Sequence, residues 1–247
     1  AQVSSNAVGA IDRMNTLSLS LAQKLSLAAF VLPHLTLWAG LVLLWFISPT
    51  DSCIPYIESC VGVWQLGIPD PVSFVYRAGL FSTVVVWMFW WYGMKAWLIS
   101  HAPRPPTWAI RHILLLAGTA CCALAVSIAL LRPEAEHIQW EFQNTAVIIF
   151  ILATTLVQGN AIGWLKSQEG SGPLVSRLKF MHRLVMFQWF LIGVYLVFLI
   201  AGADYTLMLE WWIVLVMSVF YLCLFPVWTD FRLVMVQIDG QMTGKDT

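Results

Sequence analysis

The chain reads as an all-α polytopic membrane protein, a six-transmembrane-helix bundle with both termini cytoplasmic. Three observations lead there. Of 247 residues, 60% are hydrophobic and only 11% charged, with a mean hydropathy of +0.77; soluble domains carry about a quarter charged residues. Six apolar runs cover roughly 25–48, 74–98, 110–131, 142–165, 184–203 and 211–229. Each approaches the ~20 residues that cross ~30 Å of hydrocarbon as a helix. Finally, the 13 Lys and Arg divide unevenly: Arg77 and Arg132 alone lie in or at the edge of the gaps after the first, third and fifth runs, and 11 lie in the termini or in or at the edge of the remaining gaps. Positive charge is retained on the cytoplasmic side, which fixes the orientation.

Domain organisation follows. Residues 1–23 form an N-terminal lead-in, amphipathic or disordered, without the pattern of a signal peptide. Residues 24–232 are the membrane domain and 233–247 a cytoplasmic tail. The 14 Trp and 14 Phe suit aromatic belts at both interfaces. A net charge of zero leaves no basic footprint for nucleic acid.

The first span carries His34 after Pro33. No equally deep His on another span pairs with it for haem, so an interior hydrogen-bonded role is expected and no cofactor is called for. The outer loop 49–73 holds Cys53 and Cys60 on the oxidising side. They read as a disulfide, with two free thiols or a metal pair as alternatives. No second Cys/His pair with ligand spacing lies nearby, so no metal is expected. Pro69-Asp70-Pro71 is a turn into the second span, where Ser73 or Asp70 is placed to cap the helix. Arg77, one turn inside, must snorkel or pair: a salt bridge to Asp70 or Glu210, or a ligand contact. The loop His101–Pro106 is a stiff basic connector, and 166–183 is a flexible, then basic segment suited to anionic headgroups. Cys121, Cys122 and Cys223 lie in spans as small apolar residues. Glu210 opens the last span, where the helix dipole favours an acid.

The fourth span begins with the most informative stretch, His137-Ile-Gln-Trp-Glu-Phe-Gln-Asn144. His137, Glu141 and Asn144 fall at i, i+4 and i+7, one face of a helix, and the stripe continues through Ile148, Ile151, Thr155 and Gln158. Polar groups are costly against lipid, so the stripe is expected to face protein or a water-filled cavity. With Asp70, Arg77 and Glu210 it gathers a polar group at the outer helix ends. His137, Glu141 and Glu210 are the candidate acid–base residues. Asp70, Arg77 and Asn144 are the candidate binders of a polar lipid head. Neither Gly-x-Ser-x-Gly nor His-Glu-x-x-His occurs.

Several of these residues resemble a family pattern. Cys53, Pro55-Tyr56, Gly67 and Pro69 lead to Tyr76-Arg77; His137 precedes Asn144; Ser176-Arg177-Leu178-Lys179 leads to Arg183; and Tyr205-Thr206, Leu209-Glu210-Trp211 and Trp228-Thr229-Asp230-Phe231 close the chain. The layout is similar to the Frag/DRAM/Sfk group of six-span membrane proteins, in scattered residues over nearly the whole chain. The resemblance implies a lumenal-side site in glycosylphosphatidylinositol lipid remodelling, at the step restoring a fatty acid to the lyso-lipid, with Arg77, His137 and Glu210 carried over by position. It implies a Golgi/ER-type endomembrane or a bacterial inner membrane. Other members are linked to autophagy and to phospholipid or sterol organisation. Glu58 and Ser59 stand where relatives often show Ser-Asp, and the 60–68 spacing differs. Two readings stay open: an acyl-transfer type enzyme of lipid remodelling, or a non-catalytic protein that binds membrane lipids or stabilises a membrane protein partner. A redox or quinone protein is disfavoured for want of paired His.

Overall fold

The computed structural model describes residues 2–48, 53–100, 108–131, 137–168, 173–202 and 205–225, with side chains omitted at 2–21, 100, 109, 137, 167–168 and 173–176. The helices are α1 (Gln2–Ile47), α2 (Pro55–Glu58), α3 (Val72–Ser100), α4 (Trp108–Arg111), α5 (Ile113–Leu130), α6 (His137–Gln168), α7 (Pro173–Ala201) and α8 (Thr206–Cys223), with a 3-10 turn at Gln65–Gly67. Among the described residues there is no strand. Segments of α1, α3, α5, α6, α7 and α8 are long and apolar enough to span a membrane, so the chain is an integral multi-pass membrane protein. The first helix begins at Gln2, inside the segment expected as a lead-in, and is continuous with the first span. The expected end of the last span, at 229, and the tail 233–247 lie outside the described residues.

The six spans close a ring in chain order. α1 packs on α3, α3 on α5, α5 on α6, α6 on α7, α7 on α8, and α8 returns to α1. Charge divides the two ends. Among the described residues, Glu58, Asp70, Glu141 and Glu210 all lie at one end with Arg77. Lys24, Lys95, Arg111, Lys166, Arg177, Lys179 and Arg183 lie at the other. The basic end is the inner one.

Lipid tails are as apolar as leucine, so helices in a membrane are held by close packing and hydrogen bonds. Both are visible between α1 and α3. Trp87 Nε1 donates to the Ala29 carbonyl at 2.9 Å and Trp90 Nε1 to Ser26 Oγ at 2.9 Å. Gly79 lets the two backbones approach so closely that a Cβ there would lie 2.0 Å from Thr36 Oγ1. Trp87, Trp90 and Trp91 share the inward face of α3, as i, i+3 and i+4 must. They build an aromatic column. Phe150 stacks on Trp87 at 5.8 Å, Trp87 on Tyr221 at 5.0 Å, and Tyr221 meets Trp90 edge-on at 4.7 Å. Each such pair adds about 0.5–1.5 kcal/mol beyond area burial.

Deep in the bundle, Gln188 Nε2 donates to Thr155 Oγ1 at 2.6 Å and Gln158 Nε2 to the Met217 carbonyl at 3.1 Å, tying α6 to α7 and α8. The lower half of the α6 stripe thus faces protein, as expected, with Ile151, Thr155 and Gln158 buried. The upper half does not: Glu141, Asn144 and Ile148 are exposed, and the inward polar residue of that turn is Gln143, at 2% exposure. At the outer end only one side of α6 touches protein, so a register offset of one residue decides what is buried. His34 packs its ring on Phe30 at 4.9 Å, and its Nε2 is sealed without a hydrogen-bond partner, in place of the hydrogen bond expected there.

Candidate functional site at the outer mouth

The outer loop is a folded cap. Cys53 and Cys60 are joined by a disulfide, with Cα atoms 6.5 Å apart, around the single turn of α2. Pro55 starts that turn with φ already set for helix. Glu58 Oε2 accepts the Ile54 amide at 2.9 Å, and Ser59 closes the turn at φ 51°. The Glu58 carboxylate lies beside the two cysteines. Both sulfurs are bonded to each other, so the three are not a ligand set. Beyond Cys60 the chain turns inward: the Gly62 amide donates to Gln65 Oε1 at 3.1 Å, and Val63, Trp64, Leu66 and Gly67 are buried.

α8 holds the cap from below. Trp211 Nε1 donates to the Val61 carbonyl at 2.8 Å and Trp212 Nε1 to the Tyr56 carbonyl at 3.1 Å. The Met208 amide, one of the first-turn donors that a helix cannot satisfy itself, donates to Ser59 Oγ at 3.4 Å. The Tyr56 ring sits among Trp38, Trp211 and Trp212, with centroids 6.2, 5.3 and 5.8 Å away. Burial there pushes the Tyr56 hydroxyl above its ordinary value near 10. Trp64 continues downward onto Phe150, centroids 6.3 Å apart, joining the cap to the aromatic column.

Beneath this cap lies Glu210, one turn into α8. The Val63 and Trp64 amides and the Tyr195 hydroxyl of α7 lie beside its carboxylate and interact with it. Its Oε2 is sealed from solvent without a partner, and a Cβ on Gly62 would lie 2.7 Å from that atom. Tyr76 of α3 feels the charge of Glu210, and its hydroxyl is likewise sealed and unpaired. Three spans and the cap therefore gather one carboxyl and two phenols, with Glu210 Oε2 and the Tyr76 hydroxyl sealed where unpaired polar atoms are costly. Such a group can hold, give or take one proton, or bind a single hydrogen-bonding partner.

The other expected site residues are distributed around this centre. Arg77 Nη2 donates to the Leu131 carbonyl at the end of α5, and its Nε is sealed without a partner. A cation there meets the negative end of the helix dipole and an otherwise orphaned carbonyl, which explains its place better than a bridge to Asp70 or Glu210. Asp70 is exposed and accepts the Ser73 hydroxyl, so both belong to the start of α3. Glu141 and Asn144 point out of the bundle on α6. His137 opens α6, and its side chain lies outside the described residues. Tyr195 and Gln143 were not legible as site residues, since an isolated Tyr or Gln in a span carries no spacing signal; Tyr76 stood beside Arg77 in the family pattern. Compared with protein-family models, with curated proteins and with solved structures, the chain matches none.

Proposed function

We propose that this protein handles the polar end of a membrane lipid at its outer mouth, with Glu210 as the residue that meets it. The observation carrying this reading is the sealed and unpaired Oε2 of Glu210, one turn into the last span, with the sealed and unpaired Tyr76 hydroxyl within range of its charge. An intramembrane acid is expensive to keep and marks a functional site by default. A lipid hydroxyl or amine, admitted when the cap lifts, supplies the partner that Oε2 lacks. The family resemblance is consistent with this reading. Of its scattered residues, Tyr56 packs on Trp211, and Gly67 lies against Tyr76. In that reading the reaction is reacylation of a glycosylphosphatidylinositol lyso-lipid in an endomembrane, with the disulfide on the lumenal side.

A second reading, lipid binding without turnover, is favoured by the enclosure of Glu210 beneath the cap and by the outward direction of Glu141 and Asn144. One experiment separates the two. The protein is purified in mild detergent and its co-purifying lipids are identified by mass spectrometry, for wild type, Glu210→Gln, Tyr76→Phe and His137→Ala. The same preparations are incubated with a lyso-lipid and an acyl donor. A specific lipid lost in Glu210→Gln together with acyl product in wild type supports remodelling; the lipid change without product supports binding alone. One bulk lipid mixture in all four preparations refutes a lipid site at Glu210.

A further inference from the structure

The lipid-facing side of α5 and α6 carries a second feature, away from the outer mouth. α5 and α6 pack against each other over their length, yet on the membrane side they leave an open groove of about 580 Å³. Leu114, Gly118, Cys122 and Val126 of α5 line one wall, and Ala146 and Ile149 of α6 the other. Its lining is almost wholly apolar. Twelve residues separate Leu114 from Val126; at 1.5 Å per residue the groove runs about 18 Å. The distance from one face of the hydrocarbon to its midplane is about 15 Å. The groove therefore has the reach of one acyl chain from the inner leaflet. Gly118 keeps it open, since a Cβ there would meet nothing within 4 Å.

The inner end of the groove is basic. Leu114 follows directly on α4, and α4 packs on both α5 and α6 at the base of the groove. Arg111 is exposed there, and Lys95 Nζ donates to the Arg111 carbonyl at 3.4 Å, which brings a second cationic side chain to the same turn. Trp108, 70% exposed, stacks on His112 with centroids 4.5 Å apart, an arrangement suited to the membrane interface. Among the side chains described, no acid lies at this end to neutralise the pair; that of Asp12 in α1 is outside them. An apolar trough of acyl length ending on paired cations is complementary to one kind of molecule.

We propose that the α5–α6 groove is a binding site for an inner-leaflet phospholipid with an anionic head group, its acyl chain in the groove and its phosphate on Arg111 and Lys95. The site is separate from the outer mouth and does not depend on the function proposed for it.

Native mass spectrometry of the full chain tests this. The protein is released from micelles holding equal amounts of phosphatidylglycerol and phosphatidylcholine with identical acyl chains, and the retained lipid is counted. Wild type is expected to retain phosphatidylglycerol in preference. Arg111→Gln lowers that preference about fivefold, the contribution of one basic residue at a membrane surface. Gly118→Trp fills the groove and lowers retention at least as much. Gly193→Trp, on the outward face of α7 where a Cβ also meets nothing within 4 Å, leaves retention unchanged. Should Gly118→Trp melt well below wild type, Leu115→Trp replaces it, since Leu115 lines the groove at 65% exposure. Equal retention of the two lipids by wild type overturns the proposal, as does retention indifferent to the groove-filling variant or equally reduced by Gly193→Trp.

Discussion

Substituting Gly62 by alanine tests whether the cap is clamped on Glu210. The glycine is there for space, since its φ is not in the left-handed region, and the added methyl would lie 2.7 Å from Glu210 Oε2 and 3.0 Å from Leu207 Cδ2. A carboxyl at the end of a free side chain would swing aside at little cost. This one lies against the Val63 and Trp64 amides and the Tyr195 hydroxyl beneath the cap, so either the cap lifts or the carboxyl leaves those neighbours. Overpacking of this kind costs about 1–3 kcal/mol. Glu210→Ala alone takes the carboxylate away from the two cap amides beside it, also about 1–3 kcal/mol. In the double variant the methyl occupies room that the carboxyl vacated, so the two losses are expected to fall short of their sum by about 1–2 kcal/mol, as for residues in contact. In a chain of this size Gly62→Ala should lower the melting temperature by roughly 3–9 °C. The assay is thermal unfolding of the four proteins in a single detergent. Additivity within about 0.5 kcal/mol would refute the clamp, and so would a Gly62→Ala variant that melts with wild type.

Other expectations follow from the same structure. Replacing Cys53 and Cys60 by serine removes a cross-link across seven residues of sequence; chain entropy puts the loss at about 2.5 kcal/mol, read as a lower melting temperature and faster proteolysis of the cap, and an unchanged cleavage pattern would show that the α8 contacts suffice. Gly79→Ala drives a methyl into Thr36, where the nearest atom would be 2.0 Å away; it should destabilise the α1–α3 pair by about 1–3 kcal/mol, and Thr36→Ser beside it should recover little, because Oγ1 is itself the nearest atom. The Tyr56 hydroxyl, raised by burial, holds its proton longer in the folded cap than in the unfolded chain. Stability from it is therefore full below pH 10 and falls as pH rises through the folded value. Melting measured from pH 8 to 11 should show that fall in wild type, less of it in Tyr56→Phe, and identical curves would remove Tyr56 as its source.

How much of this was legible beforehand differs from residue to residue. Six spans and the Cys53–Cys60 pairing follow from local facts: apolar runs of membrane length, and two cysteines seven residues apart in one loop. A bilayer imposes those relations on any chain, whatever its tertiary contacts. The site was only half legible. Glu210 stood out as an acid at a helix start, but helix periodicity cannot say which neighbour covers a face. Glu141 and Asn144 share the stripe with Thr155 and Gln158, and yet the first two point out of the bundle while the last two are buried. Arg77 had an acid within reach on either side, and it took the Leu131 carbonyl, which no reading of the chain around residue 77 could supply. The Tyr195 hydroxyl interacts with Glu210 and the Tyr76 hydroxyl feels its charge, from spans far apart in sequence. Composition and pattern, then, determined the class, the topology and the oxidised loop, because each depends on a segment and its solvent. Packing of α3, α7 and the cap onto α8 decided which polar groups meet, because burial in a bundle depends on the register of several helices at once.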